Sequence, residues 1–123
     1  TDGESLIMSD GTARLRVLDP RTFAVRRTLD VNEAGSPVSQ LNELEWYKGE
    51  ILANVWQSEQ IVRIDPKTGA VTGWIDLAGL LAPAERNGRE DVLNGIAWNA
   101  QTDKLYVTGK NWSRLYEIRL DRR

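Results

Sequence analysis

The chain has 123 residues, with 16 Lys and Arg against 18 Asp and Glu, and contains neither His nor Cys. These two zeros exclude disulfides, thiol nucleophiles, Ser-His-Asp relays and His-containing metal clusters. A net charge of −2 lacks the basic excess of nucleic-acid-binding proteins, and no apolar run is long enough to span a membrane. We therefore expect no nucleic-acid or membrane partner. The length is that of one domain.

Short runs of β-branched and apolar residues alternate along the chain with Gly, Asp, Pro and Asn, a pattern typical of strands and turns. A loop is expected over 32–39, and the stretch 78–91 is the one place that could hold a short helix. The ten predicted strands fall in a 3 + 4 + 3 order: 5–9, 13–18, 23–31; 41–47, 51–57, 60–64, 70–77; 93–98, 104–108 and 114–120. The pattern predicts an all-β fold.

Two pairs of segments show an internal repeat. The segment VLDPRTFAV at 17–25 matches RIDPKTGAV at 63–71, a spacing of 46 residues. The segment LNELEW at 41–46 matches LNGIAW at 93–98, a spacing of 52 that fits an insertion over 78–91. A period in the forties with four short strands is typical of a β-propeller blade, because each blade must stack on its neighbours to bury both faces.

The strand count predicts that 1–123 is a partial β-propeller of about three blades. The blade at 1–31 lacks its inner strand, the blade at 41–77 is complete, and the blade at 91–123 lacks its outer strand. Propellers close with roughly four to eight blades. We therefore expect the remaining blades, including the missing inner strand, to lie N-terminal to these residues in a longer protein.

Several strings of the sequence resemble one known enzyme family. The strings are LIMSDG (6–11), LRVLDP (15–20), LNELEW (41–46), GEILANVWQ (49–57), IVRIDP (61–66), DVLNGIAW (91–98) and VTGKNW (107–112). In this order they closely resemble the plant and bacterial type of glutaminyl-peptide cyclotransferase, also called glutamine cyclotransferase. The resemblance implies a five-bladed propeller that converts the N-terminal glutamine of a peptide or protein into pyroglutamate and releases ammonia, without cofactor or metal. It also implies a secreted or periplasmic location.

The resemblance carries three pocket positions over to this chain. Asn42 matches a pocket amide that can donate to an oxyanion or accept from the substrate amine. Trp56 matches an aromatic residue of the substrate-binding wall, and Lys110 matches a pocket lysine that can stabilise an oxyanion or a carboxylate. The family's general acid/base is a glutamate in a Glu-Gly-Leu-like string, which this sequence does not contain.

Plainer roles stay open for the same residues. The repeat partner of Asn42 is Asn94, which favours a structural role for one or both amides, and Lys110 by itself is typical of a solvated surface residue. Glu43 and Glu45 alternate on a strand and face one way. They could line the central channel as a pair with a raised pKa, or form a hydrogen-bonded structural pair.

The five tryptophans are expected to divide by position. Only Trp56 is interpreted as functional. Trp46 and Trp98 occupy equivalent repeat positions and are expected to be structural, as is Trp74 in an outermost strand. Trp112 stays undecided.

Two other functions fit the pattern less well. A propeller fragment could be a non-catalytic binding module, because fold alone does not determine function. A calcium-dependent lactone hydrolase on a related propeller would need several inward carboxylates and amides, for which Asn42, Glu43 and Asn94 are a thin set.

Overall fold

The computed structural model describes residues 1–121, so residues 122 and 123 of the last predicted blade lie outside the described part. Its strands are β1 (Leu6–Met8), β2 (Arg14–Leu18), β3 (Val25–Asp30), β4 (Asn32–Glu33), β5 (Ser36–Pro37), β6 (Leu41–Tyr47), β7 (Glu50–Val55), β8 (Gln60–Ile64), β9 (Val71–Asp76), β10 (Leu93–Asn99), β11 (Lys104–Gly109) and β12 (Tyr116–Ile118). The all-β prediction is confirmed.

All ten predicted strands are present, and their ends lie within two residues of the predicted ones. The loop prediction for 32–39 is wrong in part, because β4 and β5 form a small hairpin there. Its strands are only two residues each, too short to leave an alternating hydrophobic pattern. The expected short helix between 78 and 91 is a single 3-10 turn at Pro83–Glu85.

The strands form three antiparallel sheets besides the hairpin, in the orders β1-β2-β3, β6-β7-β8-β9 and β10-β11-β12. The turns use the local chemistry expected from Asp-Pro sequences. Asp19 and Asp65 each accept a hydrogen bond at 2.8 Å from the backbone N–H two residues later, at Arg21 and Lys67. These sheets, stacked face to face, are those of a partial β-propeller.

The four-stranded sheet is buried on both faces. Ile51, Ala53, Val62 and Ile64 pack against the first sheet, whereas Leu52, Ile61 and Ile75 pack against the third. Successive side chains of a strand point to opposite faces, so a strand between two sheets is apolar at consecutive positions. This explains the unbroken run Ile51-Leu52-Ala53.

No helix in residues 1–121 has the length and apolar character needed to cross a membrane.

Candidate active site

The strands β6 and β10 lie side by side and run in the same direction. At their start, Asn42 Nδ2 donates a hydrogen bond to Asn94 Oδ1 at 3.1 Å. At their other end, the Tyr47 and Trp98 rings pack edge to face with centroids 5.3 Å apart. We call the end of the sheets that carries Asn42 and Asn94, where β6 and β10 begin and β7 and β11 end, the upper rim.

Trp56 and Lys110 are held at the upper rim by matching backbone hydrogen bonds. The N–H of Trp56 donates to the carbonyl of Gln40 at 2.8 Å, and the N–H of Lys110 donates to the carbonyl of Val92 at 2.9 Å. Gln40 and Val92 each directly precede an inner strand, β6 or β10. The structure therefore brings Asn42, Trp56 and Lys110 to the same rim.

A β-bulge near the start of each inner strand turns its asparagine out of the regular ladder. The register of β6 on β7 shifts between Leu41 and Leu44, and that of β10 on β11 shifts between Leu93 and Ile96. Asn42 lies in the first bulge and Asn94 in the second. Because a bulge leaves a residue unpaired and re-aims its side chain, the two amides can meet between the sheets.

Asn42 and Glu43 line a groove of about 770 Å³ beside β1. The rest of its wall is mostly apolar and is made by Leu6, Ile7, Met8, Ser9, Leu18, Phe23, Val25 and Leu44. Glu43 is an exposed residue, and its partial desolvation together with the nearby Glu45 carboxylate raises its pKa.

A larger groove, of about 1150 Å³, lies at the opposite end of the second and third sheets. Its walls include Lys48, Arg63, Asp103 and Lys104, with charges of both signs. Asn42, Trp56, Asn94 and Lys110 do not line it. Size alone would favour this groove as the substrate site, but the three residues that the family resemblance assigns to the pocket, Asn42, Trp56 and Lys110, lie at the upper rim.

Glu43 and Glu45 have different surroundings. The two oxygens of Glu45 accept hydrogen bonds from the backbone N–H groups of Trp46, at 3.0 Å, and Trp98, at 3.4 Å. Glu45 thus ties β6 to β10. Glu43 faces the groove and carries the raised pKa. Glu45 therefore makes hydrogen bonds of the structural kind, and the lining of the central channel by Glu43 stays a prediction.

Lys110 and Trp112 share a partner at the upper rim. Lys110 Nζ lies 3.7 Å from Asp91 Oδ2, and the lysine side chain is 65% exposed. Trp112 Nε1 donates to the Asp91 carbonyl at 2.9 Å, and its ring meets Tyr116 edge to face at 6.3 Å. Trp112, undecided from the sequence, therefore holds the segment that faces Lys110.

The other tryptophans differ in exposure. Trp46 packs against the core between the first and second sheets, and Trp98 Nε1 donates to Asp103 at 3.2 Å. Trp74 Nε1 donates to Glu33 at 3.2 Å. Trp74 is 37% exposed, and Trp56 is 46% exposed at the upper rim, so the Trp56 ring has a face available to a ligand there.

Asn54 is a polar residue of the site region that the sequence analysis missed. Its side chain is fully buried in β7, and its Oδ1 accepts a hydrogen bond from the Gly95 N–H at 3.1 Å. Its Nδ2 has no hydrogen-bond partner within residues 1–121. The available signal was one amide inside the apolar run Ile51 to Val55.

Comparisons with known proteins agree on one family. The family model for glutamine cyclotransferase matches residues 1–120. The glutaminyl-peptide cyclotransferase of Arabidopsis thaliana is 48% identical over 122 residues, which are 98% of this chain and 38% of the relative. The crystal structure of Myxococcus xanthus glutaminyl cyclase superposes with a TM-score of 0.88 at 42% identity, over 96% of this chain and 52% of that one. The chain thus spans about half or less of the length of these relatives, and it belongs to the glutamine cyclotransferase family.

Proposed function

We propose that this chain forms part of the substrate pocket of a glutaminyl-peptide cyclotransferase. The enzyme would act on peptides and proteins that begin with glutamine, forming pyroglutamate and releasing ammonia. The observation that carries the proposal is the upper rim, which places the Asn42–Asn94 amide pair, Trp56 and Lys110 at one end of the sheets. Family membership and the names of the two relatives support it.

The reaction is an intramolecular acyl transfer. The free α-amine nitrogen bonds to the side-chain amide carbon, and the amide oxygen takes up negative charge in a tetrahedral intermediate. The proton lost by the attacking amine is balanced by one delivered to the amide nitrogen, whose bond to carbon breaks as ammonia leaves. An enzyme must fold the glutamine side chain back on its amine, stabilise the oxyanion and carry the proton.

Three residues of this chain would meet the first two needs. Asn42 would accept a hydrogen bond from the α-amine through Oδ1, while one N–H of its Nδ2 donates to Asn94. The exposed ring of Trp56 would pack against the methylene groups of the glutamine. Lys110 would bind the oxyanion; its solvent-exposed contact with Asp91 is long, so the ammonium can turn to a substrate at little cost.

The proton carrier is proposed to come from outside this chain. We propose that 1–31, 41–77 and 91–123 are three repeated blades of a five-bladed propeller, and that the remaining blades complete the pocket and supply the carboxyl group. The relatives, of which this chain covers 38% and 52%, are long enough for that. We further propose that the enzyme is secreted or periplasmic.

We propose that the reaction is metal-independent. The chemistry asks for a carboxyl group, hydrogen-bond donors and an apolar wall, none of which is a metal ligand set. The comparisons name glutaminyl cyclotransferases and do not favour a lactonase or a non-catalytic module.

The test is ammonia release from a peptide that begins with glutamine. The 123-residue chain is compared with the complete propeller, meaning this chain joined to the remaining propeller residues of its own gene. We expect activity only in the complete propeller, unchanged by a metal chelator. The same peptide with an acetylated α-amine is the control and should release no ammonia, because its nucleophile is blocked.

Three results would count against parts of the proposal. Activity of the 123-residue chain alone would show that the proton carrier lies within it. Loss of activity with the chelator would overturn metal independence. No activity in the complete propeller would overturn the function itself.

A further inference from the structure

We propose that Asn54 is a positioning residue that sets the Asn42–Asn94 amide pair by holding the backbone of the β10 bulge. An effect of Asn54 on catalysis rests on the proposed function. The Asn54 side chain faces neither solvent nor the groove, so its effect would pass through the bulge.

The environment of Asn54 makes an amide there unusual. Its neighbours Leu52, Ala53 and Ile61 are fully buried and apolar. Asn54 makes one hydrogen bond and keeps a buried Nδ2 without a partner in the described part of the chain. A buried donor left unpaired destabilises a fold, whereas an apolar residue of similar shape would not. An apolar replacement would in turn leave the Gly95 N–H without its acceptor, so the two effects oppose each other and the net gain in stability from this amide is small.

The register places Asn54 between the two bulges. In the pairing of β6 with β7, Leu41 lies opposite Val55 and Leu44 lies opposite Ala53. Asn54 consequently faces the bulged segment that carries Asn42. On its other side, Asn54 Oδ1 accepts from the N–H of Gly95, which lies in the bulge of β10.

Gly95 is held from both sides. Asn54 binds its N–H, and Thr108 of β11 lies so close that a Cβ added to Gly95 would come 2.9 Å from Thr108 Cγ2. Gly95 directly follows Asn94, so holding its N–H restrains the peptide that carries the Asn94 side chain. Asn94 Oδ1 in turn accepts from Asn42. A continuous path of contacts therefore runs from Asn54 through Gly95 and Asn94 to Asn42.

The first experiment measures glutamine-peptide cyclisation and urea unfolding of the complete propeller with Asn54→Leu. Leu keeps the branched shape but removes the acceptor for Gly95. We expect kcat to fall at least about tenfold with KM changed less than about threefold, since displacing a reacting group costs rate more than binding. The unfolding midpoint should change little, because losing the acceptor of the Gly95 N–H and removing the unpaired Nδ2 oppose each other. The control is Ile64→Val, a buried change in the same sheet that should leave kcat intact.

The second experiment is a double-mutant cycle with Asn94→Ala. If the role of Asn54 were purely structural, the effects of the two substitutions on kcat would be additive in free energy. If Asn54 acts through Asn94, the double variant loses no more kcat than Asn94→Ala alone. Multiplicative losses, or wild-type kcat in Asn54→Leu, would overturn the inference. If Asn54→Leu does not fold, the same cycle is read with Asn54→Ala, which introduces no additional atoms.

A third measurement separates this inference from the proposed function. Hydrogen exchange of the Gly95 amide should become at least about tenfold faster in Asn54→Leu and stay unchanged in Ile64→Val, because only the former removes its acceptor. If the wild-type propeller has no cyclase activity while Asn54→Leu still shows the faster exchange, the proposed function is overturned and the Asn54 contact stands. Unchanged Gly95 exchange in Asn54→Leu would overturn the positioning role.

Discussion

Gly95 is a position at which a single added methyl group should disturb the upper rim in two ways. Its φ is +137°, a backbone conformation that side chains of L residues rarely adopt. A Cβ there would also lie 2.9 Å from Thr108 Cγ2. Gly95→Ala therefore meets two separate penalties, one in the backbone and one in the packing.

The two penalties can be estimated separately. Forcing a non-glycine residue to positive φ costs about 1–2 kcal/mol, and overpacking a well-filled site costs about 1–3 kcal/mol. Gly95→Ala should thus destabilise the protein by about 2–5 kcal/mol. With a urea m-value of about 2 kcal/mol per molar, the middle of the usual range, the unfolding midpoint should fall by about 1–2.5 M.

Thr108→Ser separates the two contributions. Serine removes Cγ2 but keeps the hydroxyl, which in Thr108 donates to the Arg114 carbonyl at 2.7 Å. In the Gly95→Ala background this change should restore about 1–3 kcal/mol, the packing part, and leave the backbone part.

The matched control is Gly73→Ala in β9. An added Cβ there would lie 3.4 Å from the flexible Arg63 Cδ, and Gly73 does not have a positive φ. The stability of this variant should stay within about 1 kcal/mol of the parent protein. The reasoning is refuted if Gly95→Ala is as mild as Gly73→Ala, or if Thr108→Ser restores nothing.

Further predictions concern the exposed residues of the site and its charges. Trp56→Ala in the complete propeller should raise KM about tenfold and change kcat less than threefold, since the ring would bind substrate. The control is Trp74→Ala, which removes another exposed tryptophan, and an unchanged KM in Trp56→Ala would remove Trp56 from the pocket. Partial desolvation and the Glu45 carboxylate raise the pKa of the exposed Glu43, so its ionised form weakens the fold slightly. Glu43→Gln should therefore be slightly more stable than wild type at pH 7, with the difference gone below about pH 4. A hydrogen bond from Arg16 holds the pKa of Asp10 well below its usual range, so Asp10→Asn should be less stable at pH 7, with the difference fading as the pH falls below about 4. Urea unfolding midpoints of both variants and wild type, measured between about pH 3 and pH 7, test these predictions. If the two substitutions changed stability in the same direction at pH 7, the electrostatic argument would be contradicted.

The sequence was sufficient to predict features that depend on residues close together along the chain. Alternation of apolar and polar residues, and turns such as those at Asp19 and Asp65, are local properties of the chain, and they predicted all ten main strands. The unbroken apolar run from Ile51 to Ala53 is local too, although its cause, burial between two sheets, is visible only in the fold.

The arrangement of the site depended on contacts between residues far apart in the chain. The two bulges, the hydrogen bond between Asn42 and Asn94, and the burial of Asn54 against Gly95 arise when separate sheets stack, and no local pattern encodes them. A bulge shifts register by a residue that periodicity alone cannot locate. The sequence by itself determined that these amides exist on strands, and only the tertiary structure decided which atoms they meet, because that is settled by packing between sheets.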